Sequence, residues 1–545
     1  MPALVANVTT EDSSSRRKVV STAPPSLVCL RTENFSAKKC DGARPICGPC
    51  SRQSDAFGDC EYKHGGGSSN AQMLEEQIAI LQARIEELEK PKSQRLTLSA
   101  PHSSSGRGNS APSGIGPLLS YFYSQQTSGT APSSMPMDLP FIVLQALVHN
   151  FLHNATSFGF FLDTQAFHDA VSGPDAANTA GTLPPVLLNV LYLWGVHLSQ
   201  DARITAYEPA FLAHALRSTA SSLAGTHPRT VLHSAQASVL LAAYFRRSGR
   251  PREGRYHTSA AVAVVLSAGL HRVRSVEGIA PTAETLPPPR DPCEEGERIA
   301  AFWSVLSFNN CWAGADGVPS NLVYDLGHGH GVRVDTPWPL ERTRDYVDFP
   351  HLLPRKSTAT IARFLADAPD DPNSHSSTAL YAKAGILFEA ASHQRSGEFA
   401  ALDRTIGRFI SSLPAIQNKA MVVVHTLGHA ACIQLHNPLS REHSSSARKA
   451  VSSARAIVDI LGSTDIPKIG LIDPILAPLW KMTCFVLIGE VTRRRAQGAG
   501  PKDVKGPIDS LNVVISAMQI FAPNDRLMSI ELESVRQAYN AAQIG

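Results

Sequence analysis

Lys38-Lys39-Cys40-Asp41-Gly42-Ala43-Arg44-Pro45-Ile46-Cys47-Gly48-Pro49-Cys50 is the most informative stretch of the chain. Cys47 and Cys50 form a Cys-x2-Cys turn, with Cys40 ahead of it and Cys60 behind it. A zinc ion takes four tetrahedral ligands, and a tight Cys-x2-Cys turn supplies two of them as thiolates. A lone pair of this kind is equally well a coincidence or a redox couple, but the redox reading needs a βαβ context that is missing here. Five of the nine cysteines fall between Cys29 and Cys60, with Pro and Gly in the intervals. That density points to metal. The sequence therefore predicts zinc on Cys40, Cys47, Cys50 and Cys60, with Cys29 as a further candidate that stands outside the spacing. So small a module has almost no hydrophobic core, so metal binding, on the order of 10 kcal/mol or more, would be its folding energy. Cys293, Cys311, Cys432 and Cys484 are scattered and read as buried thiols that behave as small hydrophobes.

Outward from this module the chain changes character several times. Residues 1–28 are rich in Ser and Thr, carry Pro24 and Pro25, and are predicted to be disordered. The module itself occupies 29–64 and is followed by a flexible joint, Gly65-Gly66-Gly67-Ser68-Ser69. Residues 71–90 repeat Leu74, Leu81 and Leu88 every seventh position with Ile78 and Ile85 between them. Leu at d and Ile at a favour a parallel two-stranded coiled coil, with Arg84 and Glu89 placed for a cross-chain pair. The alternative is an amphipathic helix packed on its own body, which the flexible joints on both sides disfavour. A coil this short is marginal alone. Residues 91–138, rich in Ser, Pro and Gly, read as a disordered linker.

From 139 to 545 the spacing of apolar residues is helical, with no strand-like alternation of any length. It predicts helices over 140–154, 186–199, 206–223, 230–247, 257–273, 294–310, 379–391, 399–413, 419–435, 447–461, 474–495 and 508–521. Breakers such as Pro287-Pro288-Pro289 separate them. With 43% hydrophobic and 18% charged residues, this is an ordinary globular composition. No apolar run approaches the roughly 20 residues that span a bilayer, and no signal-peptide core opens the chain. An intracellular, non-membrane protein is the expectation.

The net charge of +3 leaves any attraction to nucleic acid to a local patch. Between Cys29 and His64 there are six basic and five acidic residues. Lys38, Lys39, Arg44 and Arg52 are the candidates for phosphate contacts. Arg16-Arg17-Lys18 is either a solvated charge run or a nuclear-import signal. Catalytic patterns are weak. His425 and His429 are four apart on a predicted helix but lack the glutamate of a metalloprotease site, and read as core or surface histidines. Gly327-His328-Gly329-His330-Gly331 follows no strand and reads as a loop. Trp303, Phe308 and Trp312 read as core. No enzymatic activity is expected, although pockets between helices would suit an effector.

Cys40, Cys47, Cys50 and Cys60, with the Cys-Asp-Gly-Ala-Arg-Pro segment and the trailing Tyr62, resemble the second half of the fungal zinc-cluster regulators, the Zn2Cys6 transcription factors. The first half departs from that pattern. Leu30 and Glu33 stand where its first two cysteines would fall, Cys29 is one residue out of register, and Ser36 and Ala37 replace basic residues that read bases. Either the module has lost its first half, or an incorrectly joined first exon hides a complete one. The body also resembles the regulatory domain of the same family, in Ala268-Gly269-Leu270-His271-Arg272, in Glu294–Arg298 leading to Gly317-Val318-Pro319-Ser320, and in Ile433–Leu439.

The resemblance implies a mostly α protein: a small zinc-bound module, a short coiled coil, a disordered linker and a large all-helical regulatory domain. It implies a nuclear, zinc-dependent, sequence-specific binder of double-stranded DNA that regulates RNA polymerase II transcription as a homodimer in contact with the transcription machinery. Two zinc ions are expected if the cluster is complete and one if the sequence stands as given. The competing expectation is a regulator with a degenerate module that works through protein contacts.

Overall fold

The computed structural model describes residues 139–544, apart from 173–183, 221, 224–227, 278–284, 326–330, 369–373 and 394–398, together with residues 28–30, 38–39 and 61–63. The chain divides into two units, Met1–Arg107 and Gly108–Gly545. The described part of the first is a small antiparallel sheet of β1 (Val28–Leu30), β2 (Lys38–Lys39) and β3 (Glu61–Lys63), in the order β2-β1-β3. Its register sets Cys29 opposite Lys38 on one side and Tyr62 on the other. These strands are too short for any alternation in the sequence to announce them.

The second unit is a large helical domain. Its first half holds α1 (Phe141–Leu152), α2 (Thr164–Ser172), α3 (Pro185–His197), α4 (Glu208–Ala220), α5 (Pro228–Arg247) and α6 (Pro251–Ser267). The long α7 (Pro292–Asp316) follows. The second half holds α8 (Ser377–Ser392), α9 (Phe399–Ser412), α10 (Lys419–His436), α11 (Ser444–Ser463), α12 (Leu476–Ala496), α13 (Pro501–Phe521) and α14 (Arg526–Ile544). Short helices at Ala202–Thr205, Asp345–Asp348 and Thr360–Leu365 punctuate the connections. Among the described residues no helix is long and apolar enough to cross a membrane.

Local chemistry explains many of the boundaries. Asp291 caps α7 by accepting from the Glu294 N–H at 2.8 Å, Pro292 opens the helix, and Gly317 closes it with φ 63°. Ser376 and Asn418 cap α8 and α10 in the same way, accepting from the N–H groups of Ala379 and Met421, each at 3.0 Å. Gly195 marks a close crossing. A Cβ there would lie 2.3 Å from the Leu147 carbonyl oxygen, so only glycine lets α3 approach the backbone of α1.

Two hydrophobic cores share the domain. The first runs from Val143 to Ile386 and centres on Phe151, Trp194, Phe245 and Trp303. The second runs from Cys311 to Val535 and centres on Phe388, Leu427 and Trp480. Helices α7 and α8 pack together and serve both. On α7, Trp303 and Leu306 enter the first core, and Cys311 and Trp312 enter the second. The tryptophans expected as one cluster are therefore divided: Trp303 stacks on Trp338 at 4.4 Å, and Trp312 lies 4.4 Å beneath the Arg246 guanidinium.

Several expectations need correction. The helix expected over 257–273 starts at Pro251 and ends at Ser267, because Pro251 fits a first turn and Gly269 adopts φ 75°. The helix expected over 294–310 continues to Asp316, since the residues after Asn310 stay buried between the cores. The helix expected from Ile508 begins at Pro501 and accommodates Pro507, and its first turn is fixed by the Asp503 carboxylate accepting from the Gly500 N–H at 3.0 Å. Helices α2 and α14 were not expected. Cys311 and Cys484 are buried as expected, but Cys432 is half-buried and Cys293, in the first turn of α7, is exposed.

Candidate functional site

Among the described residues the helical domain holds a cavity of about 810 Å3 between its two halves. One wall is the turn after α1, Ala155–Phe158, and the loop that follows it to Asp163. Gln236, fully buried on α5, holds that loop from both sides: it accepts from the Phe161 N–H at 2.7 Å and donates to the Gly159 carbonyl at 3.1 Å. Ser304 on α7 donates to the same carbonyl at 3.1 Å. Gly159 has φ 75°, a conformation that any side chain would strain. The loop is thus pinned by buried hydrogen bonds, which are costly to leave unmade.

Residues 469–476, Tyr381 on α8 and the start of α10 form further walls. Phe158, Phe160, Phe161, Trp303, Phe308 and Ile472 give the lining its apolar character. Polar and charged groups share the lining, among them Asp163, Asp169, Glu341, Arg342 and Arg344. Asp473 accepts from the Tyr381 hydroxyl and from the Ile475 N–H, each at 3.0 Å. Burial pushes its carboxyl up to about 6, against the opposing pull of those hydrogen bonds. Burial also raises the Tyr381 phenol well above its ordinary range, with the Asp473 charge adding to the effect. Lys419, the first residue of α10, donates to the Ser157 hydroxyl at 2.7 Å, and Ser157 donates to the Leu471 carbonyl at 3.3 Å. Burial lowers the Lys419 ammonium below its ordinary value.

A second polar arrangement escaped sequence reading because its members lie on three helices. His436 on α10 holds the Ser446 hydroxyl at 3.1 Å through Nδ1 and the Asp403 carboxylate at 3.0 Å through Nε2. Lys449 donates to the other Asp403 oxygen at 2.5 Å. Burial works to raise the Asp403 carboxyl, but the hydrogen bonds from Lys449 and His436 outweigh it and hold the carboxyl below its usual range. The order of groups is that of a nucleophile, a base and an orienting acid. Ser446 and His436 are buried, however, and none of the three lines the cavity. The chain of bonds ties α9, α10 and α11 together.

Of the residues singled out from sequence, Cys29, Lys38 and Lys39 are placed by the strand register. Cys40, Cys47, Cys50, Cys60, Arg44 and Arg52 lie outside the described residues, as do Leu74, Ile78, Leu81, Ile85 and Leu88 of the coil. Among the described residues no group of three or more His, Cys, Asp or Glu is placed to hold a metal ion. His425 and His429 act separately: the His425 Nε2 lies 2.8 Å from the Pro414 carbonyl, while burial, with His425 nearby, pushes His429 down to about 4. No protein-family model, no curated protein and no solved structure matches the chain.

Proposed function

We propose that this protein is a zinc-dependent, sequence-specific DNA-binding regulator of RNA polymerase II transcription that acts in the nucleus as a homodimer. The observation that carries the reading is the cysteine constellation Cys40, Cys47, Cys50 and Cys60 around the Asp41-Gly42-Ala43-Arg44-Pro45 segment. Four thiolates are the donor set of a closed, structural zinc site. The register of β1 supports the grouping, because Cys29 faces Lys38 and Tyr62, each two residues from a candidate ligand. In this reading zinc supplies the folding energy of the module. Lys38, Lys39, Arg44 and Arg52 neutralise phosphates, and the coiled coil through Leu74, Ile78, Leu81, Ile85 and Leu88 sets half-site separation. The helical body governs activity and contacts the transcription machinery.

Leu30 and Glu33, where the resembled pattern has thiolates, favour a second reading: a regulator that has lost DNA binding and works through protein contacts. Metal analysis of the purified full chain, with duplex binding measured at two salt concentrations, separates the two. Bound zinc with affinity that falls steeply as salt rises supports the first reading. Zinc without duplex binding moves the assignment to the second, and a chain that takes up no zinc refutes the module. Sequencing the transcript across residues 20–40 bears on the same choice. A restored Cys-x2-Cys and basic run before Cys40 calls for two zinc ions, and confirmation of Leu30 and Glu33 leaves one four-cysteine site.

A further inference from the structure

The charges that line the cavity do not balance. Its volume, about 810 Å3, lies within the roughly 300–1,000 Å3 of small-molecule sites, and Phe158, Phe161, Trp303 and Phe308 give it aromatic faces. Four carboxylates, Asp163, Asp169, Glu341 and Asp473, share the lining with the cations Arg342, Arg344 and Lys419. Both arginines are exposed and paired outside the lining, with Asp345 at 3.0 Å and Asp348 at 3.6 Å. Lys419 donates to the neutral Ser157 hydroxyl at 2.7 Å, and among the described residues no carboxylate lies within 4.0 Å of it. Among the same residues no Lys, Arg or His lies within 4.0 Å of Asp163, Glu341 or Asp473, while Asp169 has His168 at 3.4 Å. The lining therefore keeps an excess of negative charge beside aromatic faces, which also attract a cation.

Asp473 is the carboxylate best placed to use that excess. Asp169 and Glu341 are exposed, and Asp163 accepts from the Ala166 N–H at 2.9 Å in the first turn of α2. Asp473 stands between the buried Ile472 and Pro474 and keeps part of its surface open. Its Oδ2 accepts from the Tyr381 hydroxyl and its Oδ1 from the Ile475 N–H, each at 3.0 Å, so each oxygen retains a further lone pair. Burial pushes the carboxyl up to about 6, as expected of an anion withdrawn from water with no cation beside it.

We propose that the cavity binds a small organic cation, an amine whose ammonium pairs with Asp473 and whose apolar body lies against Phe158, Phe161, Trp303 and Phe308. The ammonium donates to the lone pairs that Tyr381 and Ile475 leave open, and its charge offsets the acidic excess of the lining. An aromatic body packs on the ring faces. The inference concerns the helical body alone. Its assay contains no DNA, so its failure and the failure of the DNA-binding reading are separate events.

The test is calorimetric titration of the purified full chain with three probes that share one aromatic body: naphthylethylamine, naphthylethanol and naphthaleneacetate. The expected result is saturable one-site binding of the amine, with the uncharged alcohol weaker and the acid weakest. Asp473→Asn, close to the wild type in shape, should weaken the amine by about tenfold or more, the scale of a charged hydrogen bond. The alcohol should bind the wild type and Asp473→Asn alike, which, with thermal melting, establishes that the variant is folded and its cavity intact. Absence of saturable amine binding overturns the proposal. So does an acid that binds as tightly as the amine, or equal amine affinity in wild type and folded Asp473→Asn. Should Asp473→Asn fail to fold, the order of amine over acid in the wild type still decides the charge of the ligand, and the reverse order refutes it.

Discussion

Asp525→Asn offers the sharpest test of how the two halves of the helical domain are joined. Asp525 precedes α14 and accepts from Arg247, the last residue of α5, at 2.7 Å. Both side chains are buried, at 5% and 4% exposure. Arg247 also donates to the Asn524 carbonyl, and Asp525 accepts from the Met528 N–H at 3.1 Å. Asparagine caps a helix about as well as aspartate, so the substitution removes the charge and leaves the cap. Burial already lowers the Arg247 pKa, with Asp525 opposing it, so the guanidinium left behind is desolvated and unpaired. Breaking a buried pair in this way costs about 3–5 kcal/mol. The remaining bond to Asn524 places the expected loss near the lower end, about 3 kcal/mol. Chemical unfolding followed by tryptophan emission reads this directly, because all five tryptophans are buried in the helical body. Arg247→Met combined with Asp525→Asn should recover most of the loss, since the uncompensated charge is then gone. A loss below about 0.5 kcal/mol for Asp525→Asn, the scale of an exposed pair, would refute the reasoning.

Gly195→Ala should lower stability by about 1–3 kcal/mol, because its Cβ would meet the Leu147 carbonyl oxygen at 2.3 Å; a thermal melt unchanged from wild type would disprove the close crossing. His257, stacked on Phe245 at 5.3 Å, is pushed down to about 4 by burial, so the folded chain keeps it neutral where the unfolded chain protonates it. Its depressed folded pKa makes stability fall as pH drops from about 6.5 to 4, by about 3 kcal/mol in all. His257→Leu should flatten that slope in unfolding measured across the window, and an unaltered slope counts against the assignment. Leu81→Asp should convert the dimer to a monomer in sedimentation analysis if the heptads pair two chains; a wild type that is already monomeric removes the coil from the account.

Helix content was legible because the 3.6-residue period is written locally, and Val186–Ser199 or Lys419–Leu435 announces its buried stripe in its own residues. Boundaries were less legible. Pro507 reads as a stop in the sequence, yet α13 runs through it, and α14 carries too little apolar residue to stand out before Leu532 and Val535 find the second core. Cys293 and Cys311 look alike in the sequence, and only packing exposes one and buries the other. The cysteine constellation belongs to the other extreme, since the chemistry of four thiolates is carried by residue type and spacing alone. By itself, then, the sequence determined the helical class of the body and set out the cysteine spacing on which the zinc proposal rests. Tertiary structure decided the division into two cores across α7 and α8, the Ser446-His436-Asp403 chain and the placing of Lys419 in the cavity. These depend on which helices meet, and contacts between residues hundreds of positions apart are set by the packing of the whole domain, which no local period encodes.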